Sequence, residues 1–264
     1  MPRLKFPLGT ALLAVLMLAF HLHLSRGLLY ASEAALLPFV LHYTSLPTSF
    51  FTYPFVHAGV LHLAGNLVPF LLFGALLESI AGTAVFLLVF AISALAAGAV
   101  FLLASPSVAL AGASAGITGV IGAAIVSRPK LTFLLVLVSL VLAHFTILPL
   151  VDNAFNQQVD GFSEARDDLS NLAGVLAERN ESEAAVAVAA QAAEAGGNVA
   201  RLEAGRSLEA SAPSDFLAHS VGALVGVAFI LFFRKDLAAA GSREFWQAVS
   251  KVRGFRRSAF RLGR

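Results

Sequence analysis

The sequence contains no cysteine. Disulfide frameworks, thiol chemistry and cysteine-ligated metals are therefore excluded. Charge is nearly as scarce. Asp, Glu, Lys and Arg make up 13% of 264 residues, against about a quarter in an ordinary soluble domain. Hydrophobic residues make up 58%, and the mean hydropathy is +0.82. A soluble globular fold is excluded by that balance, and long runs almost free of charge point to a chain that lives in a bilayer. The formal net charge of +2 says little by itself; its distribution says more.

Six apolar stretches are long enough to count, at 7–24, 59–77, 83–104, 114–127, 131–150 and 215–233. The first follows Arg3 and Lys5 but lacks a clean small-residue cleavage site, so it reads as a retained helix rather than a signal peptide. A long connection, 25–58, holds an interfacial apolar stretch, Leu28–Val40, and a turn-rich aromatic piece with Pro47 and Pro54. Gly82 and the run Ser105-Pro106-Ser107 punctuate later links.

Residues 152–212 differ in kind, with eleven acidic residues and four arginines. Leu169, Leu172, Val175 and Leu176 predict a helix near 163–179, and Ala-rich 182–195 a second, ended by Gly196-Gly197. This is a soluble insertion, either a solvated spacer or a docking element. The expected organisation is a core of five spans over 1–151, the insertion at 152–212, a sixth span at 213–235 and a basic tail at 236–264. If six helices alternate, Arg3, Lys5, Arg128, Lys130, Arg234, Lys235 and the tail fall on one side. That side carries thirteen of the eighteen basic residues and is expected to be cytoplasmic, with both termini there. Phe245, Trp246, Val249 and Phe255 among the tail's arginines suit either anionic headgroups or an ordinary solvated tail.

The chemistry-bearing residues gather near the opposite side. In Ala111–Gly122, reading AGASAGITGVIG, Ser114 stands among glycines at the mouth of a short apolar segment. From Ser114 to Val126 a helix rises about 20 Å, against a hydrocarbon core of about 30 Å. The serine is thus expected below the surface, at a helix N-terminus whose free N–H groups favour negative charge. His219 lies one turn into the last span, with Gly222 and Gly226 spaced as in GxxxG. Gly112, Gly116, Gly119 and Ala123 offer a matching small face, so a neutral imidazole at His219 is placed to take the Ser114 proton. His62 and Asn66, four apart, share a face of the second span, and both can donate to an oxyanion. His57 precedes them. Glu78 sits near the cytoplasmic end, where an unpaired carboxylate is costly, and is assigned a loop-tying structural role. His21, His23, His42 and His144 form no constellation and are expected at the interface.

These motifs resemble the rhomboid intramembrane serine proteases. Gly112-Ala113-Ser114-Ala115 resembles the family's G-x-S-G block. His57, His62 and Asn66 meet its HxxxxHxxxN signature, and Ala218, His219, Gly222 and Gly226 its AHxxGxxxG. Glu78 falls where the family has its loop-anchoring glutamate. The resemblance implies an all-α, polytopic, six-transmembrane-helix bundle with the insertion between helices 5 and 6. It implies Ser114 as nucleophile and His219 as base, without an aspartate, and an oxyanion hole of His62, Asn66 and the Ser114 N–H. Supporting positions are His57, Gly112, Glu78, Gly222 and Gly226. Substrates would be transmembrane segments of other proteins in the lipid bilayer, cleaved without cofactor or metal and with no nucleic-acid partner. The expected location is a prokaryotic cytoplasmic membrane.

The chain departs from the pattern at Ala115, which replaces the second glycine, and at Thr118, where bacterial members often carry a tyrosine. The first loop lacks a Trp-Arg pair, and the insertion stands where a short cap is usual. A soluble nucleophile elbow needs a preceding strand, which hydropathy excludes. A zinc protease needs H-E-x-x-H, which is absent. A transporter would place ionisable groups along a path through the helices. The remaining alternative is an inactive relative that binds transmembrane helices without cutting them.

Overall fold

The computed structural model describes residues 6–44, 47–105, 108–211 and 216–262. The topology markers Arg3, Lys5 and Arg264, the Pro106-Ser107 link and the insertion boundary at 212–213 lie outside the described residues. The described chain is helical, with no strand among the described residues. Its order is α1 (Leu8–Ser25), α2 (Glu33–Leu36), α3 (Ser49–Thr52), a 3-10 turn (Tyr53–Phe55), α4 (Val60–Ala81), α5 (Thr83–Ala104), α6 (Ser114–Ser127), α7 (Pro129–Leu142), a π-turn (Ala143–Ile147), α8 (Leu148–Glu178), α9 (Ser182–Ser211), α10 (Phe216–Phe233) and α11 (Lys235–Leu262). Five helical segments are long and apolar enough to span a bilayer: α1, α4, α5, the continuous run from α7 through α8, and α10. With the shorter apolar α6 they account for all six expected spans.

The centre of the bundle is α6. It packs on α10, α5, α4, α7 and α11. Nine of its fourteen residues are buried, and they lie all round the helix, as a central helix requires. Against it stands an aromatic wall. Phe70 of α4 meets Phe86 and Phe90 of α5 with ring centroids 5.8 and 5.6 Å apart. Gly116 faces that wall: a Cβ there would sit 2.6 Å from the Phe90 ring. Thus the small residues of α6 do not form the single face expected from the sequence. Gly112, in the loop just before the helix, meets α4; Gly116 meets α5; Gly119 lies against Ser93 of α5 as well as Gly222 of α10; and Gly122 meets α10. A helix surrounded by neighbours needs a small residue wherever one comes close, not along one stripe.

Helices α6 and α10 run parallel. Gly222 abuts the Ala115 carbonyl, and four residues on in both helices Gly226 abuts the Gly119 carbonyl. The close approach is backbone to backbone, as glycine-spaced membrane helices permit.

At the end of the bundle where α1 begins, Glu78 is buried and accepts four hydrogen bonds. They come from the Gly9 and Thr10 N–H groups at 2.9 and 2.8 Å, Thr10 Oγ1 at 2.8 Å and Thr83 Oγ1 at 2.6 Å. The carboxylate therefore caps the free N–H groups of the first turn of α1 and ties them to the α4–α5 turn. Gly82, at φ +89°, makes that turn possible. Arg128 and Arg234, in the short links after α6 and α10, stand at the same end. Arg234 donates to the Ala81 carbonyl at 3.2 Å, and Arg128 pairs with Glu244 at 3.9 Å.

The insertion is more regular than its composition indicated. Helix runs unbroken from Pro129 to Glu178, so the expected boundary at 151–152 falls inside α8. Pro149 removes a backbone donor, and the chain answers by widening one turn: the Leu148 N–H bonds the Ala143 carbonyl in the π-turn. A change from apolar to acidic composition marks where lipid ends, not where helix ends. The second helix likewise passes through Gly196-Gly197 to Ser211. There Gly196 lies against Arg166 of α8, and pairing of α9 along α8 outweighs a propensity cost of about 1 kcal/mol per glycine. Asn180, at φ +60°, makes the hairpin turn.

The hairpin's base sits on the first loop. Phe155 and Leu202 pack with Leu28 and Tyr30, and Gly205 abuts the Tyr30 ring. Gln158 accepts from the Leu29 N–H at 3.3 Å. Arg206 lies 4.4 Å over the Phe155 ring and pairs with Asp152 at 2.8 Å.

Candidate active site

Ser114 is the first residue of α6, and Ala113 before it supplies no side-chain cap. The first bond back onto the helix start is Ile117 N–H to the Ala113 carbonyl, at 3.0 Å. The N–H groups of Ser114, Ala115 and Gly116 therefore have no intrahelical acceptor, leaving a positive dipole end at the serine. The loop before it is held from two sides. Gly112 donates its N–H to the Tyr53 carbonyl at 2.9 Å, and Leu110 exchanges backbone bonds with Leu41 at 2.8 and 2.9 Å. Tyr53 is fully buried and donates its hydroxyl to the Ala94 carbonyl of α5 at 2.6 Å.

Gly112 has φ +103°, a conformation that suits glycine. A Cβ there would lie 2.7 Å from His62 Nε2 and 3.9 Å from Asn66 Nδ2. Thus His62 and Asn66 stand directly over the loop that delivers Ser114. Asn66 is buried and donates one amide hydrogen to the His62 carbonyl at 2.8 Å. Its amide keeps a second hydrogen to give.

His219 occupies the opening turns of α10. Its register follows from the parallel pair: Ser114 directly precedes Ala115, and His219 is one turn before Gly222, which abuts Ala115. Both side chains are half-buried and belong to the same end of the bundle. The His62 and His219 rings are close enough to interact electrostatically. Thr118 donates to the Ala115 carbonyl at 3.0 Å and borders Gly222, one turn below.

His57 is fully buried, with its ring centroid 5.0 Å from that of His62 in an edge-on arrangement. Its ring nitrogens make no well-formed hydrogen bond among the described residues, and the backbone at Phe55 offers only a weak one. Burial first, then the neighbouring His62 ring, pushes its pKa down to about 3. The imidazole is accordingly neutral at any physiological pH.

His21 is where the sequence reading fails. It is buried rather than interfacial, with Nδ1 3.3 Å from the His57 carbonyl. It shares the inward stripe of α1 with Met17 and Leu24, at i, i+4 and i+7, and that spacing was the available signal. Tyr53 was also missed, because a loop aromatic reveals nothing of its partners before the chain is folded. The groups brought together are thus Ser114, Gly112, His62, Asn66, His57 and His219. Glu78 stands at the other end of α4, and Gly222 and Gly226 form the floor on which α6 and α10 meet.

Fold and geometry together define an all-α polytopic membrane protein with a partly accessible polar cluster at one end of its central helix. The family model for the rhomboid domain matches residues 46–177, half the chain, and the protein belongs to the rhomboid family. No curated protein and no solved structure matches the chain. The matched region contains His57, His62, Asn66, Glu78, Gly112 and Ser114; α10 with His219 lies beyond it.

Proposed function

We propose that this rhomboid-family protein is an intramembrane serine endopeptidase that cuts transmembrane segments of other proteins. The observation that carries the reading is the register of α6 against α10, which supports Ser114 and His219 as neighbours at one depth. In this mechanism the neutral His219 ring takes the Ser114 proton as Oγ attacks the scissile carbonyl carbon. The carbonyl π pair moves onto oxygen, and that oxyanion accepts bonds from the Ser114 N–H and from Asn66 and His62. Collapse breaks the C–N bond, and the imidazolium returns the proton to the leaving amine. Water then repeats the cycle on the acyl-enzyme, with His219 again as base.

A fluorophosphonate probe tests the nucleophile without knowledge of the substrate. Labelling is expected at Ser114, and is expected to vanish in Ser114→Ala and in His219→Ala while the helical spectrum persists. Cleavage of a generic transmembrane substrate is expected to follow the same pattern. Cleavage that survives in either variant sinks the dyad. A folded protein that neither labels nor cleaves supports the inactive helix-binding relative.

The proposed orientation places both termini in the cytoplasm of a prokaryotic cell and the α8–α9 hairpin outside. Because the chain has no cysteine, single cysteines at Ser258 and Glu181 allow a direct check with a membrane-impermeant maleimide. Intact cells are expected to label the second and spare the first.

A further inference from the structure

Helix α11 is not explained by any peptidase chemistry. It begins where α10 ends, at the end of the bundle opposite Ser114, and it does not continue the direction of α10. Leu237 and Ala238 pack on the core. One turn on, Gly241 abuts the Val126 carbonyl at the end of α6. A further turn on, Glu244 accepts from the Lys130 N–H at 3.1 Å and pairs with Arg128 at 3.9 Å, at the start of α7. Successive turns of α11 thus pass the end of α10, then α6, then α7. The helix crosses the mouth of the bundle sideways, in the plane where a bilayer surface would lie.

Its 28 residues extend about 42 Å, and more than half of them follow Glu244. Phe245 and Trp246 are 51% and 60% exposed. In the sequence, Phe245, Val249, Val252, Phe255 and Ala259 recur at helical spacing with Arg256 among them, and Arg253, Arg257 and Arg261 recur at i, i+4 and i+8 in the same register as Trp246. Residues 243–264 hold seven basic side chains and one acidic one, and that acid is engaged with the α6–α7 link. A basic helix with a recurring apolar set and an exposed Trp at the border between its apolar and arginine positions, tethered across the bundle end by its own core, is complementary to one kind of surface. We infer that α11 is an amphipathic helix that docks on anionic phospholipid headgroups, seating Phe245 and Trp246 at the acyl boundary with its arginines against lipid phosphates.

The protein carries its own reporter, since Trp246 is its single tryptophan. The full chain is reconstituted in nanodiscs of phosphatidylcholine with or without phosphatidylglycerol. With the anionic lipid, Trp246 emission is expected to shift to the blue, to be quenched by brominated phosphatidylglycerol and to lose accessibility to iodide. High salt and the triple variant R253Q/R257Q/R261Q are each expected to reverse the shift. Equal emission in the two lipids, or a blue shift that the triple variant retains, overturns the inference. So does a shift that tracks protein density rather than lipid charge, which would make a second copy the occupant. Probe labelling at Ser114 is read in the same nanodiscs, so failure of this inference is separable from failure of the peptidase reading.

Discussion

Gly112 lies beneath the His62 ring, with room for a hydrogen and none for a methyl. Its φ of +103° and the 2.7 Å from a built Cβ to His62 Nε2 impose the same restriction independently. Gly112→Ala is therefore expected to strain the loop and displace either His62 or Ser114, costing about 1–3 kcal/mol in stability. Probe labelling at Ser114 should fall at least tenfold. Gly65→Ala, on α4 with no atom near its built Cβ, serves as the control and should leave both readouts unchanged.

Gly226 meets the backbone of Gly119 rather than a side chain, so nothing flexible can yield. Gly226→Val is expected to push α10 off α6, lower the thermal midpoint sharply and abolish labelling. A variant with normal midpoint and labelling would mean that the two helices are not held at this distance.

Glu78 has four donors directed at it. Hydrogen bonds to a charged group contribute about 1.5–3 kcal/mol each, and the donors at the start of α1 lose their cap with it. Glu78→Ala should destabilise by at least about 3 kcal/mol, read as midpoint or as hydrogen exchange at the start of α1. Any activity that remains in the folded fraction should have normal specific rate, because the carboxylate is at the far end of α4 from Ser114.

The His57 pKa of about 3 has a definite sign for stability. The unfolded chain binds a proton at this residue near pH 6.5, and the folded chain resists it until about 3. Stability should thus fall as pH drops from 6.5 toward 3, by up to about 1.4 kcal/mol per unit from this residue. Midpoints measured across that window should show a shallower slope in His57→Phe. An unchanged slope would place the acid sensitivity elsewhere.

The hairpin of α8 and α9 rests on the first loop through Tyr30, Phe155 and Gly205. Gly205→Leu should lift its base, exposing the turn at Asn180 and the loop at Leu28–Tyr30 to limited proteolysis. Unchanged cleavage of a generic substrate would make the hairpin a spacer. Loss of cleavage with an intact bundle would make its seat on the first loop part of substrate entry.

The spans were legible because a bilayer sets one demand on composition and length. The segment expected at 114–127 is α6 to the residue, and 83–104 is α5. The hairpin was less so. Acidic and alanine-rich sequence marks solvent, but it does not show that α8 continues α7 through a π-turn, or that α9 runs past two glycines.

Local sequence by itself determined the chemical groups of the candidate site and the helix each rides on, because motif spacing and hydropathy are properties of neighbouring residues. Only the tertiary structure decided who meets whom. It turned Gly112 and the glycines of α6 toward three partners, drew His21 inward beside His57, carried Glu78 to the start of α1 and laid α11 across the end of the bundle. Those are contacts between residues far apart in the chain, and they exist only once helices have packed.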